Sequence, residues 1–138
     1  MKTAFAVLMR TLPEHVFPVR RTSSRLRVRT QGVHVANIGV MCVYRKQVEV
    51  IKTILGEDMN IEVNTVDQFQ GRDKSVIVWS LVWTQDSGTR CELLRDQRRI
   101  NVGLTRAKHK LILVGCAESM RAINIMSRVV DGVKVVKL

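Results

Sequence analysis

Apolar residues run from Ile38 to Val43 (IGVMCV) with no charged interruption, which predicts a strand buried on both faces. The spacing then changes. Between Lys46 and Leu55 the apolar positions are 48, 50, 51, 54 and 55, a helical pattern, and Gly56 stands where a helix stop is expected. A short second strand is predicted over Ile61–Asn64 and a longer apolar one over Ser75–Val82. Thr84–Thr89 contains Asp-Ser-Gly and reads as a surface loop. Glu92–Lys108 reads as helix, Lys110–Gly115 as a fourth strand, Ser119–Val130 as helix and Val133–Leu138 as a closing strand. Apolar strands alternating with helices predict an α/β fold, a parallel sheet with helices on both faces. Ligands of such sheets gather beyond the carboxyl ends of the strands. That directs attention to Tyr44–Gln47, to Thr65–Lys74, and to the helix carrying Arg98, Arg99 and Arg106.

Residues 1–36 break the pattern. Pro13 and Pro18 punctuate them, Arg20, Arg21, Arg25, Arg27 and Arg29 crowd together, and no apolar period persists. The segment reads as an irregular basic arm preceding a domain over residues 37–138. It holds seven basic residues and one acid, so about half of the chain's net charge of +11 sits there. So basic a balance points to a polyanionic partner, most often nucleic acid, although a solvated basic surface gives the same number. Hydrophobic residues at 46% make the chain globular, and aromatics at 4% make its core aliphatic. Cys42, Cys91 and Cys116 lie far apart with no CxxC pair, which argues against a zinc site or a disulfide framework and fits a reducing compartment. No apolar stretch approaches the roughly 20 residues of a membrane span. The Arg-rich, Ser-containing, acid-poor start is also compatible with an organelle presequence.

Two segments carry chemistry. Thr65–Lys74 (TVDQFQGRDK) packs donors and short acceptors around one glycine, Gly71, which suits positive φ or a close approach of backbone to ligand. The plainer alternative is a polar connection with Asp67 capping a short turn. In Asp96–Lys108, Arg99 and Arg106 are seven apart and share a helical face. An arginine projected into a cleft matches phosphate oxygens with its fork. A solvated helix with Arg paired to Asp96 and Glu92 is the alternative.

TVDQFQGRDKSVIVWS (65–80) resembles motif V of superfamily-one helicases, and RRINVGLTRAKHKLILVG (98–115) resembles motif VI. The two stand in order, about 30 residues apart, each ending in an apolar strand. IGVMCVYRKQ (38–47) is similar to the strand and turn before motif V. The likeness covers roughly residues 36–120 and is nearest to the helicase/nuclease family of DNA replication, with the RNA-surveillance helicases next. It implies the second, RecA-like motor domain. Arg106 then corresponds to the arginine finger on the γ-phosphate of ATP, and Arg99 to the arginine that supports motif VI and the cleft. Gln70, Gly71 and Asp73 match the nucleotide-facing turn, Asp73 standing where an acid accepts from the ribose. Tyr44, Arg45, Gln47 and Thr65 lie where such domains hold single-stranded backbone.

Val43 departs from the family's usual proline, and Gly103 and Leu104 vary within its usual Val-Ala-[Ile/Leu]-Thr. No GxxxxGK[ST] occurs, none of the eight glycines is followed by Lys, and no Asp-Glu pair stands in for the magnesium-binding motif. The resemblance therefore implies half of a catalytic cleft. ATP with Mg²⁺ is expected only beside a first motor domain, with single-stranded DNA (or RNA) as the other partner, no metal held by this chain alone, and a nuclear or mitochondrial location. A non-catalytic nucleic-acid-binding module, or an inactive helicase fragment, is the alternative.

Overall fold

The computed structural model describes residues 6–11, 33–56, 58–81 and 92–137. Six strands form one sheet: β1 (Ala6–Thr11), β2 (Ile38–Cys42), β3 (Glu62–Thr65), β4 (Lys74–Leu81), β5 (Ala107–Gly115) and β6 (Lys134–Lys137), in the order β3-β2-β4-β5-β1-β6. The four consecutive strands β3, β2, β4 and β5 are parallel to one another. The expected α/β parallel sheet is therefore present. It is extended by two antiparallel strands, because β1 pairs antiparallel with both β5 and β6.

Strand β1 corrects one expectation. Ala6–Thr11 fell in the segment read as irregular, yet Val7 pairs with Val114 and Met9 with Ile112. Six residues between Pro- and Arg-rich neighbours show no usable local period. They gain order by docking on the free edge of β5, about 100 positions away in the chain. The arginine cluster at 20–29, the 84–89 loop and Cys91 lie outside the described residues.

Helices cover both faces, as expected. Alternation along the strands sends Met41, Ile77, Trp79, Leu81, Leu111 and Leu113 to one side. There they meet Val66 and Phe69 of the loop after β3, Ile100 of α2 (Gln97–Thr105), Met120 of α3 (Ala117–Arg121), and Met126 and Val130 of α4 (Asn124–Asp131). On the other side α1 (Arg45–Leu55) sets Val48, Ile51 and Leu55 against Val40, Cys42 and Val63. Burial pushes the Cys42 thiol up to about 11, so it behaves as a small core residue. No helix among the described residues is long and apolar enough to cross a membrane.

Two helices differ from their predicted lengths. The span 92–108 is a 3₁₀ turn (Glu92–Arg95), then α2, then the start of β5 at Ala107. Asp96 breaks it by turning extended and accepting from the Arg98 amide, a side-chain N-cap that restarts the helix. The span 119–130 is likewise divided into α3 and α4 at Ala122 and Ile123. Ile123 is buried there as the extended N-cap of α4.

Candidate functional site

The motif residues fall at two ends of the sheet. In parallel strands, residues paired at the first position share the amino end. Lys74 opens β4 opposite Ala107, which opens β5. Asp73 and Arg106 immediately precede these two residues, so they meet at the amino edge, where Arg106 Nη1 lies 2.9 Å from Asp73 Oδ1. Tyr44, Arg45 and Thr65 lie at the other end, since Cys42 pairs with Thr65 at the close of β2 and β3. The carboxyl-end expectation therefore holds for the second group and not for the first. The reason is the loop over 66–73. It leaves β3 at its carboxyl end and returns across the sheet face to the amino end of β4. Phe69, fully buried over Gly39, anchors the crossing.

Helix α2 runs alongside that loop, and arginine–aspartate pairs join the two at both ends. Arg99 Nε is 3.2 Å from Asp67 Oδ1 and 3.7 Å from Asp96 Oδ2. Asp67 thus acts as a counter-ion; the N-cap of its 3₁₀ turn is Val66, with no side-chain cap. Arg99 and Arg106, expected on one face, sit near opposite ends of α2 with separate partners. Both ends of the Arg99 contact are about half exposed, and such pairs contribute little to stability, typically ~0–1 kcal/mol. Arg106 is held more closely. Its side chain is 20% exposed, and besides Asp73 it donates from Nε to the Val102 carbonyl at 3.2 Å and from Nη2 to Thr105 Oγ1 at 3.3 Å.

The turn residues behave as expected of a tight bend. Gly71 has φ of 78°, and its Cβ position is open, so backbone conformation alone favours glycine there. Gln70 is exposed beside it. At the other end Tyr44 and Arg45 are exposed, but Thr65 and Gln47 are engaged within the chain. The Thr65 amide and hydroxyl both donate to Gln68 Oε1 at 3.3 Å. Gln47 turns inward and donates to Ser80 Oγ, leaving its own Oε1 buried without a partner among the described residues.

Sequence reasoning missed Gln68 and Glu62. Glu62, in β3, accepts from Arg72 Nη1 at 2.7 Å and Asn64 Nδ2 at 3.1 Å and pairs with Lys74 Nζ at 3.1 Å. Burial alone would raise its carboxyl pKa, but the hydrogen bonds and charges of Arg72 and Lys74 outweigh burial and hold it below the ordinary 4.5. A folded-state value below the unfolded one stabilises the fold above about pH 4.5, and this is lost as pH falls through the lowered value. The stability difference between wild type and Glu62→Gln, measured by urea unfolding from pH 7 to pH 3, is therefore expected to be flat near neutrality and to close in acid. A difference that widens in acid would contradict this.

A family model described as an AAA domain matches residues 20–118. The chain is a helicase-family AAA domain. The match opens at residue 20, inside the segment read as an arm. The DNA replication ATP-dependent helicase/nuclease of Bos taurus is 50% identical over 91 residues, covering 64% of this chain and 9% of its own length. That of Gallus gallus is 39% identical over 123 residues, 88% of this chain and 12% of its own. That of Saccharomyces cerevisiae is 40% identical over 94 residues, 67% of this chain and 6% of its own. The helicase domain thus spans about a tenth of the length of these relatives. The expected kinship with replication helicase/nucleases holds, and the chain falls in an ATP-dependent DNA helicase family.

Among the described residues of the helicase domain, no three His, Cys, Asp or Glu side chains gather as a metal ion would require. The amino edge does fit phosphate. It offers a guanidinium fork, already fixed by its own helix, beside a glycine turn.

Proposed function

We propose that this chain is the second motor domain of an ATP-dependent DNA helicase of the helicase/nuclease type, acting in the nucleus. The observation that carries this reading is the meeting of Asp73 and Arg106, from motifs V and VI, at the amino edge of the sheet. In the reading, Arg106 is the finger that reaches the γ-phosphate across a cleft. Arg99 supports it through α2, and Gln70, Gly71 and Asp73 face the nucleotide. Mg²⁺ and the phosphate-gripping loop belong to a first motor domain, and ATP binds only between the two. Bound ATP–Mg²⁺ supplies the phosphoryl group, and this chain's own part is to orient it and neutralise charge. Single-stranded DNA runs over the carboxyl end, past Tyr44, Arg45, Gln47 and Thr65; the exposed Tyr44 and Arg45 suit phosphates directly, and Gln47 and Thr65 exchange their internal partners for the strand.

Anisotropy of a labelled single strand mixed with the full chain tests the nucleic-acid half. At fixed salt, Arg45→Ala combined with Thr65→Ala is expected to weaken binding about tenfold, the size of one lost charge-assisted phosphate contact. Because β1 is part of the sheet, the arm is best tested by replacing Arg20, Arg21, Arg25, Arg27 and Arg29 with Gln rather than by deletion. Binding should survive that change and remain sensitive to Arg45. Binding that vanishes with the five arginines and ignores Arg45 and Thr65 would make the chain a non-catalytic nucleic-acid-binding module. Tighter binding of an RNA strand than of DNA would move it toward the RNA-surveillance helicases.

A further inference from the structure

We infer that Glu62 is a positioning residue for the nucleotide-facing pair, acting as the counter-charge that reserves Asp73 for Arg106. The inference rests on the reading of Arg106 as a phosphate ligand. Asp73 sits between two cations in sequence, Arg72 and Lys74, and a third, Arg106, meets it in space. Charge alone does not decide which of the three cations a lone carboxylate takes. Arg72 and Lys74 stand next to Asp73 in the chain, with consecutive Cα atoms about 3.8 Å apart, and their long side chains can turn back toward it even where successive side chains start on opposite sides.

Glu62 resolves the competition by taking both neighbours. Its Oε1 receives Arg72 at 2.7 Å and its Oε2 faces Lys74 at 3.1 Å, so each oxygen is committed to one cation. Asn64 Nδ2 adds a hydrogen bond to Oε1 at 3.1 Å, which orients the carboxylate. Lys74 is fixed further by donating from Nζ to the Ala36 carbonyl at 3.0 Å. The backbone completes the arrangement, because the Lys74 amide donates to the Arg106 carbonyl at 3.0 Å. With both flanking cations drawn to β3, Asp73 is left to Arg106. The Glu62 side chain is only 21% exposed, against 45% for Asp73, so water screens the clamp's carboxylate less than it screens that of Asp73.

The test uses the full chain and reads hydrogen exchange at the Arg106 Nη1 protons, the ones that face Asp73, by NMR, with the sheet amides as internal reference. Asp73→Asn is expected to speed exchange of the Arg106 Nη1 protons about tenfold, while Nε–H, held by the Val102 carbonyl, changes less. Glu62→Gln should do the same while amides of β4 and β5 keep their wild-type rates, and the double variant should add nothing to Asp73→Asn alone. Removing the competitors is the decisive arm. Replacing Arg72 and Lys74 by Met in the Glu62→Gln background should restore wild-type protection of Arg106, a rescue that a merely structural glutamate would not allow. The proposal is overturned by unchanged Arg106 exchange in Glu62→Gln, by acceleration shared across the sheet amides, by additivity with Asp73→Asn, or by failure of the Met rescue. A separate titration with inorganic tripolyphosphate and Mg²⁺, of a motor that joins this domain to a nucleotide-binding first domain, examines the underlying reading. An Arg106 Nη1 signal that shifts supports it, and one that ignores tripolyphosphate sinks the phosphate role without altering the Glu62 result.

Discussion

Replacing Arg106 by Ala, in a motor that joins this domain to a nucleotide-binding first domain, is expected to lower DNA-stimulated ATP turnover by about 10³-fold or more. The size follows from what the guanidinium does. An arginine finger touches charge that develops on the phosphoryl oxygens, so its loss is felt in the transition state rather than in ground-state binding. The fork also matters. Arg106→Lys keeps the charge but cannot span two phosphate oxygens while holding the Val102 carbonyl, as Arg106 Nε does at 3.2 Å. Lysine should therefore recover little of the rate. Single-strand affinity should change less than about threefold, because Arg106 lies at the amino edge and the residues proposed to face the strand lie at the carboxyl end. Steady-state turnover with saturating single strands measures the first effect and strand anisotropy the second. A loss below tenfold in turnover would remove Arg106 from the finger role.

The largest effect on stability is expected at Trp79 and Gly103. Trp79 is fully buried in β4, and its ring lies directly against α2. A Cβ built on Gly103 would stand 2.5 Å from Cη2 and Cζ3 of that ring. This accounts for the glycine at a position where the family usually carries alanine. Helix α2 accepts the intrinsic cost of a glycine, about 1 kcal/mol relative to Ala, and gains close contact with a large aromatic surface. Trp79→Ala should cost about 3–5 kcal/mol, a large share of the ~5–15 kcal/mol that holds a domain folded. Gly103→Ala alone should also destabilise, because the ring must move in a packed core. In a Trp79→Leu background the same alanine should become neutral or favourable. A coupling of about 1–3 kcal/mol in that double-mutant cycle, read from urea midpoints at constant m-value, checks the account. Additive costs would contradict it. The indole N–H has no acceptor among the described residues, so Trp79→Phe should cost far less than Trp79→Ala.

The parallel framework was legible because its strands are buried on both faces. Runs such as Val76–Trp79 and Leu111–Val114 leave no other reading. Helix α1 was legible for the opposite reason, one apolar stripe with Gly56 at its end. Strand β1 was hidden because its order comes from the edge of β5 and not from its own period. The long helix predicted over 92–108 failed at Asp96, where an N-cap signal lay inside an otherwise helical stretch. The motif residues were identified by type and spacing, but their grouping was not legible. Nothing in the sequence says that the 66–73 loop crosses the sheet face and carries Asp73 to the end opposite Thr65. Glu62 left one faint signal, an acid in a short strand next to apolar Val63, and such acids are usually solvent-facing. Only the approach of Arg72 from the next loop and of Lys74 from the start of β4 gives it a task.

The two arginine–aspartate pairs that join α2 to the 66–73 loop have a consequence for how the domain meets an anion. An arginine already seated on a carboxylate has given up much of its water and its rotamer freedom before any ligand arrives. A phosphate oxygen reaching Arg106 therefore enters an exchange, one anion for another on a fixed guanidinium, with Asp73 released to solvent or to a neighbouring hydroxyl. Such a swap releases an internal carboxylate in place of a diffuse counter-ion, so this contact should add less to the salt dependence of binding than a free surface arginine would. The resident aspartate acts as a placeholder, keeping the site charged, oriented and neutral overall until its replacement comes.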